Sequence, residues 1–126
     1  MMAEPAQAKY QILVVDDEPT VCKAIQMMLK FYGHEVQTAD DGAAALALFH
    51  AGQFDLVITD YLMPGMRGDE LVAHIRQSRP GQRVILASAF ADDFHTGEKP
   101  SGGVDHILTK PFSLDDLRAA IAKVMA

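Results

Sequence analysis

Four short apolar runs, each followed closely by a polar residue, constrain the fold more than any other feature of the sequence. Continuous runs of aliphatic and β-branched residues of this length are typical of strands buried on both faces, which belong to parallel sheets covered by helices. These strand signals alternate with helix signals, and this alternation predicts βαβ units. The runs are residues 12–15, 56–58, 84–87 and 107–109.

A fifth strand and four helices complete the predicted order of elements. Glu35–Ala39 is predicted as a short strand. The first helix is expected to begin at Pro19 and end near Gly33, because proline suits the first helical position and glycine the C-terminal cap. Ser113 is expected to cap the last helix through its hydroxyl. The two helices between them are predicted at residues 43–51 and from about 69 to 78.

Length and composition indicate a single domain and argue against a nucleic-acid partner and an intrachain disulfide. A chain of 126 residues buries roughly two thirds of the surface that it exposes when unfolded. Its formal net charge of -6 argues against a nucleic-acid partner, because phosphate binding needs a basic surface. The single cysteine, Cys22, cannot form an intrachain disulfide and is interpreted as a small buried apolar residue.

Targeting and anchoring signals are not recognisable in the sequence. It shows neither a secretory signal nor an apolar run of about 18 residues. We therefore predict a cytoplasmic protein that does not bind a membrane. Residues 1–9 are mixed and aperiodic and are expected to form a disordered lead-in, which leaves residues 10–126 as the domain.

The predicted strands deliver carboxylates to one edge of the sheet. Asp16 and Asp17 follow the first strand, and Asp60 ends the third. Ligands of open parallel sheets bind at the carboxyl edge, where the loops diverge. Like charges about 4 Å apart cost several kcal/mol at reduced dielectric, and a hard cation would offset that repulsion. Oxygen ligands without imidazole or thiolate favour Mg²⁺, which often shares its coordination shell with a phosphate.

Two further residues at this edge favour a phosphate site over a simpler alternative. For the Asp-Asp pair alone, solvated helix caps would be the better interpretation. Ser88 and Lys110, however, end the last two strands and add a hydroxyl donor and a cation, both suited to phosphoryl oxygens. Glu70 and His74 have the i, i+4 spacing of a metal-binding pair, but they lack a third ligand, and we expect both to face water.

Four fragments around these residues together carry a more specific signal. They are Val14-Val15-Asp16-Asp17-Glu18, Ile58-Thr59-Asp60-Tyr61-Leu62-Met63-Pro64-Gly65, Ala87-Ser88-Ala89 and Leu108-Thr109-Lys110-Pro111-Phe112. In this order and at these intervals, they closely resemble the receiver domain of two-component response regulators. The resemblance extends from about Gln11 to the end of the chain. A stand-alone receiver is expected, and a domain excised from a longer protein also fits the sequence.

The resemblance implies a fold, a reaction and a set of partners. The fold is flavodoxin-like (βα)5, a doubly wound parallel sheet with strand order 2-1-3-4-5. A sensor histidine kinase or a histidine phosphotransfer protein would transfer a phosphoryl group to Asp60 with Mg²⁺ bound, and a downstream protein target would respond. The protein would be a monomer or weak dimer. It would catalyse its own phosphorylation and dephosphorylation without turning over a separate substrate.

The resemblance also implies a role for each residue at the sheet edge. Asp60 is the nucleophile, and its carboxylate becomes an acyl phosphate. Lys110, directed by a cis bond to Pro111, would pair with Asp60 before transfer and with the phosphoryl group afterwards. Ser88 would donate a hydrogen bond to a phosphoryl oxygen, and the small Ala89 would leave the route to Asp60 open. The implied Mg²⁺ ligands are Asp16, Asp17, Asp60 and the backbone carbonyl of Leu62.

Two features depart from the family pattern. Ile107 stands three residues before Lys110, where the family usually has a Tyr or Phe ring whose rotation reports phosphorylation. The fourth helix of the family would run through residues 92–103, where Gly97 and Pro100 together disfavour a helix by about 4 kcal/mol. We expect at most a short turn at residues 92–96, and we hypothesise that residues 92–103 become ordered on phosphorylation.

Three other functions fit parts of the pattern. A flavodoxin-like electron carrier would share the fold, but its first loop would need hydroxyl and N–H groups in place of Asp16-Asp17-Glu18. A phosphatase with an aspartyl nucleophile usually has a second acid two residues later, where this chain has Leu62. A non-signalling interaction module would not need Asp60, Lys110 and Ser88 together.

Overall fold

A parallel five-stranded sheet forms the centre of the computed structural model, which describes residues 8–89 and 103–126 and the backbone of residues 95–96 and 99–100. The strand order is β2-β1-β3-β4-β5, and every neighbouring pair is parallel. This order confirms the predicted doubly wound, flavodoxin-like topology. The strands are β1 Gln11–Val15, β2 Glu35–Ala39, β3 Leu56–Asp60, β4 Arg83–Ser88 and β5 His106–Thr109.

Four helices cover the sheet in the described part of the chain. Their ends lie close to the predicted ones: Gly33 adopts a φ of 92° just after the first helix, and the Ser113 hydroxyl accepts a hydrogen bond from the Asp116 N–H at 3.0 Å. Among the described residues, no helix is both long enough and apolar enough to cross a membrane. The helices are α1 Pro19–Phe31, α2 Gly42–Ala51, α3 Gly68–Ser78 and α4 Leu114–Met125.

The sheet divides the core into two layers, because successive side chains of a strand point to opposite faces. In β3, Val57 packs with α2 and α3, whereas Leu56 and Ile58 pack with α1 and α4. All three are at most 1% exposed, which confirms a strand buried on both faces. Cys22 belongs to the second layer, as its apolar interpretation predicts. Burying side chains of this kind stabilises the fold by about 1.5–3 kcal/mol each.

The expectations for residues 1–9 and 92–103 lie mostly outside the described residues. Within the second range, His95–Thr96 and Lys99–Pro100 pair as two short antiparallel strands. These four residues therefore do not form a helix. The hypothesis that residues 92–103 become ordered on phosphorylation lies outside the described residues. The Lys110–Pro111 peptide bond is cis, as the resemblance predicts.

Gly68 provides a test of how tightly the start of α3 packs against the end of β3. Its N–H donates a 2.7 Å hydrogen bond to the Tyr61 carbonyl, and a Cβ here would collide with the Asp60 carbonyl oxygen. We expect Gly68→Ala to lower the free energy of unfolding by about 1–3 kcal/mol, the usual cost of overpacking. Gly81→Ala is the control, because a Cβ there meets nothing within 4 Å. Urea unfolding curves that showed equal stability for the two variants would contradict this packing argument.

Candidate active site

The ends of β1, β3, β4 and β5 meet at one edge of the sheet. Asp60 pairs with Ala87 across β3 and β4, and Ser88 pairs with Thr109 across β4 and β5. A cavity of about 220 Å³ opens at this edge. The structure thus brings together the residues that the sequence placed there. The cavity is lined by Asp17, Glu18, Asp60, Leu62, Ser88, Ala89 and Lys110.

Three carboxylates converge at this edge. One oxygen each from Asp16, Asp17 and Asp60 lies within 4.8 Å of the other two. Asp16 is 1% exposed, and its Oδ1 accepts a 2.9 Å hydrogen bond from the Glu18 N–H, which holds the carboxylate in place. An all-oxygen set without imidazole or thiolate suits a hard cation such as Mg²⁺. The donor set therefore fits the predicted metal.

Glu70 and His74 lie outside this cluster. Both side chains are exposed on α3, and the Glu70 carboxylate accepts a hydrogen bond from the Arg67 N–H at 3.0 Å. Among residues 8–89 and 103–126, the group Asp16, Asp17 and Asp60 is the one set of three potential ligands close enough to share a metal ion. The expectation that Glu70 and His74 face water is confirmed.

The ammonium of Lys110 lies between two of the carboxylates. Its Nζ is 2.9 Å from Asp16 Oδ2 and 2.9 Å from Asp60 Oδ1. Burial lowers the pKa of Lys110, but hydrogen bonds and charges from the two carboxylates outweigh that effect and raise it overall. Lys110 is therefore a full cation at neutral pH. Sequence reasoning found the pair with Asp60 and missed the pair with Asp16.

Small residues lie at the end of β4, the strand between Lys110 and Asp60. Lys110 follows β5, and Asp60 ends β3, two strand positions away, or about 10 Å. The intervening strand ends at Ala87 and Ser88 and is followed by Ala89, and all three side chains are small enough for the lysine to reach across. This run of small residues is compatible with a long side chain crossing β4, but it does not by itself specify the second contact with Asp16.

The charge of Asp60 is only partly offset. Burial raises the pKa of Asp60, the hydrogen bond and charge of Lys110 lower it, and the charge of Asp16 raises it, so that the net shift is upward. The side chain of Asp60 is 12% exposed. One ammonium does not fully compensate these carboxylates, and a further cation at this edge would stabilise their ionised forms.

Ser88 and Thr59 support the site from β4 and β3. Ser88 is 3% exposed, lines the cavity, and accepts a 2.8 Å hydrogen bond from the Lys110 N–H through its backbone carbonyl. Thr59 is fully buried, and its hydroxyl donates to the Asp60 carbonyl at 2.9 Å. The contribution of Thr59 was missed from the sequence, where it reads only as part of a strand. Ile107 is half-buried and packs against the layer containing α2 and α3.

Comparison with known proteins agrees with this geometry. The family model for the response regulator receiver domain matches residues 12–122. The chain belongs to this family. Receiver domains of this kind are parts of two-component response regulators, as the resemblance of the four fragments predicted.

The similar proteins include short and long chains. The chemotaxis protein CheY-3 of Vibrio cholerae is 34% identical over 117 residues, which cover 90% of each chain. The transcriptional regulatory protein TcrA of Mycobacterium tuberculosis is 37% identical over 111 residues, 88% of this chain but only 44% of TcrA. The chain thus spans less than half of TcrA.

Solved structures of response regulator TrrA from Thermotoga maritima have the same fold. TrrA in complex with Mg²⁺-BeF is 35% identical, has a TM-score of 0.82, and aligns over 93% of this chain and 99% of that chain. A second structure shows TrrA in complex with histidine kinase ThkA, with 33% identity and a TM-score of 0.79 over 94% of this chain.

The raised pKa of Asp60 predicts a pH-dependent stability. Because the folded-state pKa lies above its usual 3.8, the native protein loses stability as the pH rises from that value through the raised pKa, and the loss persists at higher pH. Asp60→Asn cannot ionise and escapes this loss. We therefore expect the variant to be more stable than the native protein at neutral pH and equally stable at low pH.

Urea unfolding across a pH series without Mg²⁺ measures this difference. Asp115→Asn is the control for the change in net charge, because its side chain is 85% exposed. A stability difference that did not vary with pH, or an Asp60→Asn variant less stable than the native protein at pH 7, would show that the buried carboxylate is fully compensated.

Proposed function

We propose that this chain is a phosphoacceptor that takes a phosphoryl group onto Asp60 from a sensor histidine kinase or a histidine phosphotransfer protein. The observation that carries the proposal is the Asp60 carboxylate at the wall of a 220 Å³ cavity, 2.9 Å from the Lys110 ammonium. The TrrA structures, one with Mg²⁺-BeF and one with a histidine kinase, support the same assignment. The phosphorylated form would then alter the binding of a downstream protein.

Mg²⁺ would be held by the carboxylates of Asp16, Asp17 and Asp60 and by the backbone carbonyl of Leu62. When bound, it supplies positive charge that neutralises carboxylate and phosphoryl oxygens. The partial compensation of Asp60 by Lys110 is the reason to expect this cation at the site.

The residues of the chain would carry the transfer itself. An Asp60 carboxylate oxygen forms a bond to phosphorus as the bond from phosphorus to the donor nitrogen breaks, which gives an acyl phosphate. In phosphoryl transfer the protein mainly positions the reacting groups and neutralises their charge. Here the fixed strand ends would position the Asp60 carboxylate. Ala89 is exposed at the mouth of the cavity and leaves the approach to Asp60 open.

Lys110 would exchange one partner and keep the other. Its bond to Asp60 Oδ1 would pass to a phosphoryl oxygen, while its bond to Asp16 Oδ2 keeps the ammonium at the site. The hydroxyl of Ser88, at the same cavity wall, would donate a hydrogen bond to another phosphoryl oxygen. Asp16 would thus have two roles, as a ligand of Mg²⁺ and as the residue that holds the Lys110 ammonium.

The same geometry argues against the other functions. The residue two positions after Asp60 is Leu62, whose side chain is 56% exposed at the cavity and offers no acid for a phosphatase. The first loop brings Asp17 and Glu18 to the cavity wall, where they would repel a flavin phosphate.

Phosphorylation can be measured directly by intact mass after incubation with Mg²⁺ and a small acyl phosphate. We expect one added phosphoryl group on the native chain and none on Asp60→Asn, since the amide is not a nucleophile for this reaction. Asp115→Asn, an exposed change of the same type on α4, should be labelled like the native chain. Equal labelling of native chain and Asp60→Asn would place the phosphoryl group on another residue.

Lys110→Ala separates metal binding from the response to phosphorylation. The change removes a cation from between two carboxylates, so we expect Mg²⁺ affinity to stay the same or rise. The change in the amide NMR spectrum of β5 on phosphorylation should be much smaller than in the native chain, because no ammonium then passes from Asp60 to the phosphoryl group and only the backbone hydrogen bond from residue 110 to Ser88 remains. Lys123→Ala, an exposed lysine on α4, is the control. A native-like spectral response of Lys110→Ala would contradict the proposed exchange of partners.

A further inference from the structure

A second cavity lies at the opposite edge of the sheet from the acidic site. Its volume is about 270 Å³, and it opens where β1 and β2 begin, beside the end of α1 and the middle of α4. It shares no lining residue with the cavity at Asp60. It is lined by Ala8, Tyr10, Tyr32, His34, Arg118, Ile121 and Ala122.

His34 supplies a hydrogen-bond donor at this cavity. The side chain is 8% exposed, and its Nδ1 accepts a 3.1 Å hydrogen bond from the Tyr10 backbone N–H. Burial lowers the pKa of His34, so the ring is neutral at pH 7 and carries its one proton on Nε2. None of the residues that the structure describes accepts a hydrogen bond from Nε2. The described residues do not fully enclose Nε2, so a molecule in the cavity would be able to accept its hydrogen bond.

Arg118 adds positive charge to the same cavity. Its guanidinium makes one ion pair within the described residues, with Asp115 at 3.8 Å, which is long for a strong contact. None of the residues that line the cavity is acidic. The polar side chains that line the cavity are therefore His34, Arg118 and two tyrosines, and their donor groups favour a ligand with anionic acceptor oxygens.

The remaining walls are aromatic and apolar. The Tyr10 and His34 rings are stacked with centroids 5.4 Å apart and planes 20° apart, and Tyr32 adds a third ring. Ile121, 5% exposed, adds an apolar side chain. Ring walls favour a flat ligand, because aromatic groups pack in offset-stacked or edge-to-face arrangements. A cavity of about 270 Å³ is slightly smaller than the roughly 300 Å³ at which small-molecule sites usually begin, which limits the ligand to about one ring.

We propose that this cavity binds a small aromatic carboxylate, with its carboxylate at Arg118 and His34 Nε2–H and its ring against Tyr10 and Tyr32. The two donors lie on different elements, the segment before β2 and helix α4, and a carboxylate with two oxygens can accept from both. The proposal is independent of phosphoryl transfer, because it uses none of the residues at the Asp60 site.

Titration of benzoate into the full chain at pH 7, followed by amide NMR, tests the site. We expect saturable shifts at Tyr10, His34 and Arg118, none at Asp60, and a dissociation constant of about 1 mM or below, within reach of a ligand of about nine heavy atoms. Benzamide keeps the ring without the charge, and cyclohexanecarboxylate keeps the charge without the flat ring. Each should bind about tenfold more weakly than benzoate.

Arg118→Gln is the decisive variant, since this exposed residue can change without disturbing the core. It should weaken benzoate binding about tenfold, while Lys123→Gln, which removes a positive charge from the same helix outside the cavity, should leave binding within about twofold of native. The proposal is overturned by the absence of saturable shifts, by equal binding of benzoate and benzamide, or by equal effects of Arg118→Gln and Lys123→Gln.

Discussion

The contact of one ammonium with two carboxylates is the interaction on which the site depends. Lys110 joins the end of β5 to Asp16 after β1 and Asp60 on β3, so that one side chain connects three strands. A buried carboxylate without a counter-charge would be strongly destabilising. The pair of contacts therefore makes it possible to hold Asp60 largely out of water. Because Lys110 only partly offsets the negative charge of Asp60, any further positive charge at this edge would stabilise the ionised carboxylate.

The rigidity behind this contact comes from the sheet. β1 and β3 are buried on both faces, and their aliphatic side chains alternate between two separate core layers. A strand packed on both sides cannot rotate or slip without exposing one layer, because its side chains alternate with a period of two. The strand ends, and with them Asp16 and Asp60, are consequently fixed by apolar packing several residues away. Thr59, fully buried beside Asp60, extends this packing to the last residue of β3.

Much of this architecture could be predicted from the sequence because its signals are continuous and local. Uninterrupted apolar runs specify buried strands, and the rule that parallel strands share a carboxyl edge brings Asp16, Asp60, Ser88 and Lys110 together. The double contact of Lys110 could not be predicted, since it depends on a long side chain crossing a neighbouring strand.

The cavity at the other edge was also missed, for a related reason. Tyr10 and His34 lie just before strands, and Arg118 lies on the exposed side of α4, so no periodic pattern contains all three. Tertiary packing alone brings them together. Sequence periodicity predicts which side of a helix or strand faces the core. It does not predict pockets that form where the ends of several elements meet.

Ile107 limits how the site can communicate with the rest of the domain. An aliphatic side chain packed against the layer of α2 and α3 has no ring to rotate in response to phosphorylation. The backbone offers another connection, because the Lys110 N–H donates to the Ser88 carbonyl at 2.8 Å. The two residues proposed to contact the phosphoryl group are thus hydrogen-bonded to each other where β4 and β5 end. A displacement of Lys110 from Asp60 would therefore act on the ends of β4 and β5 together.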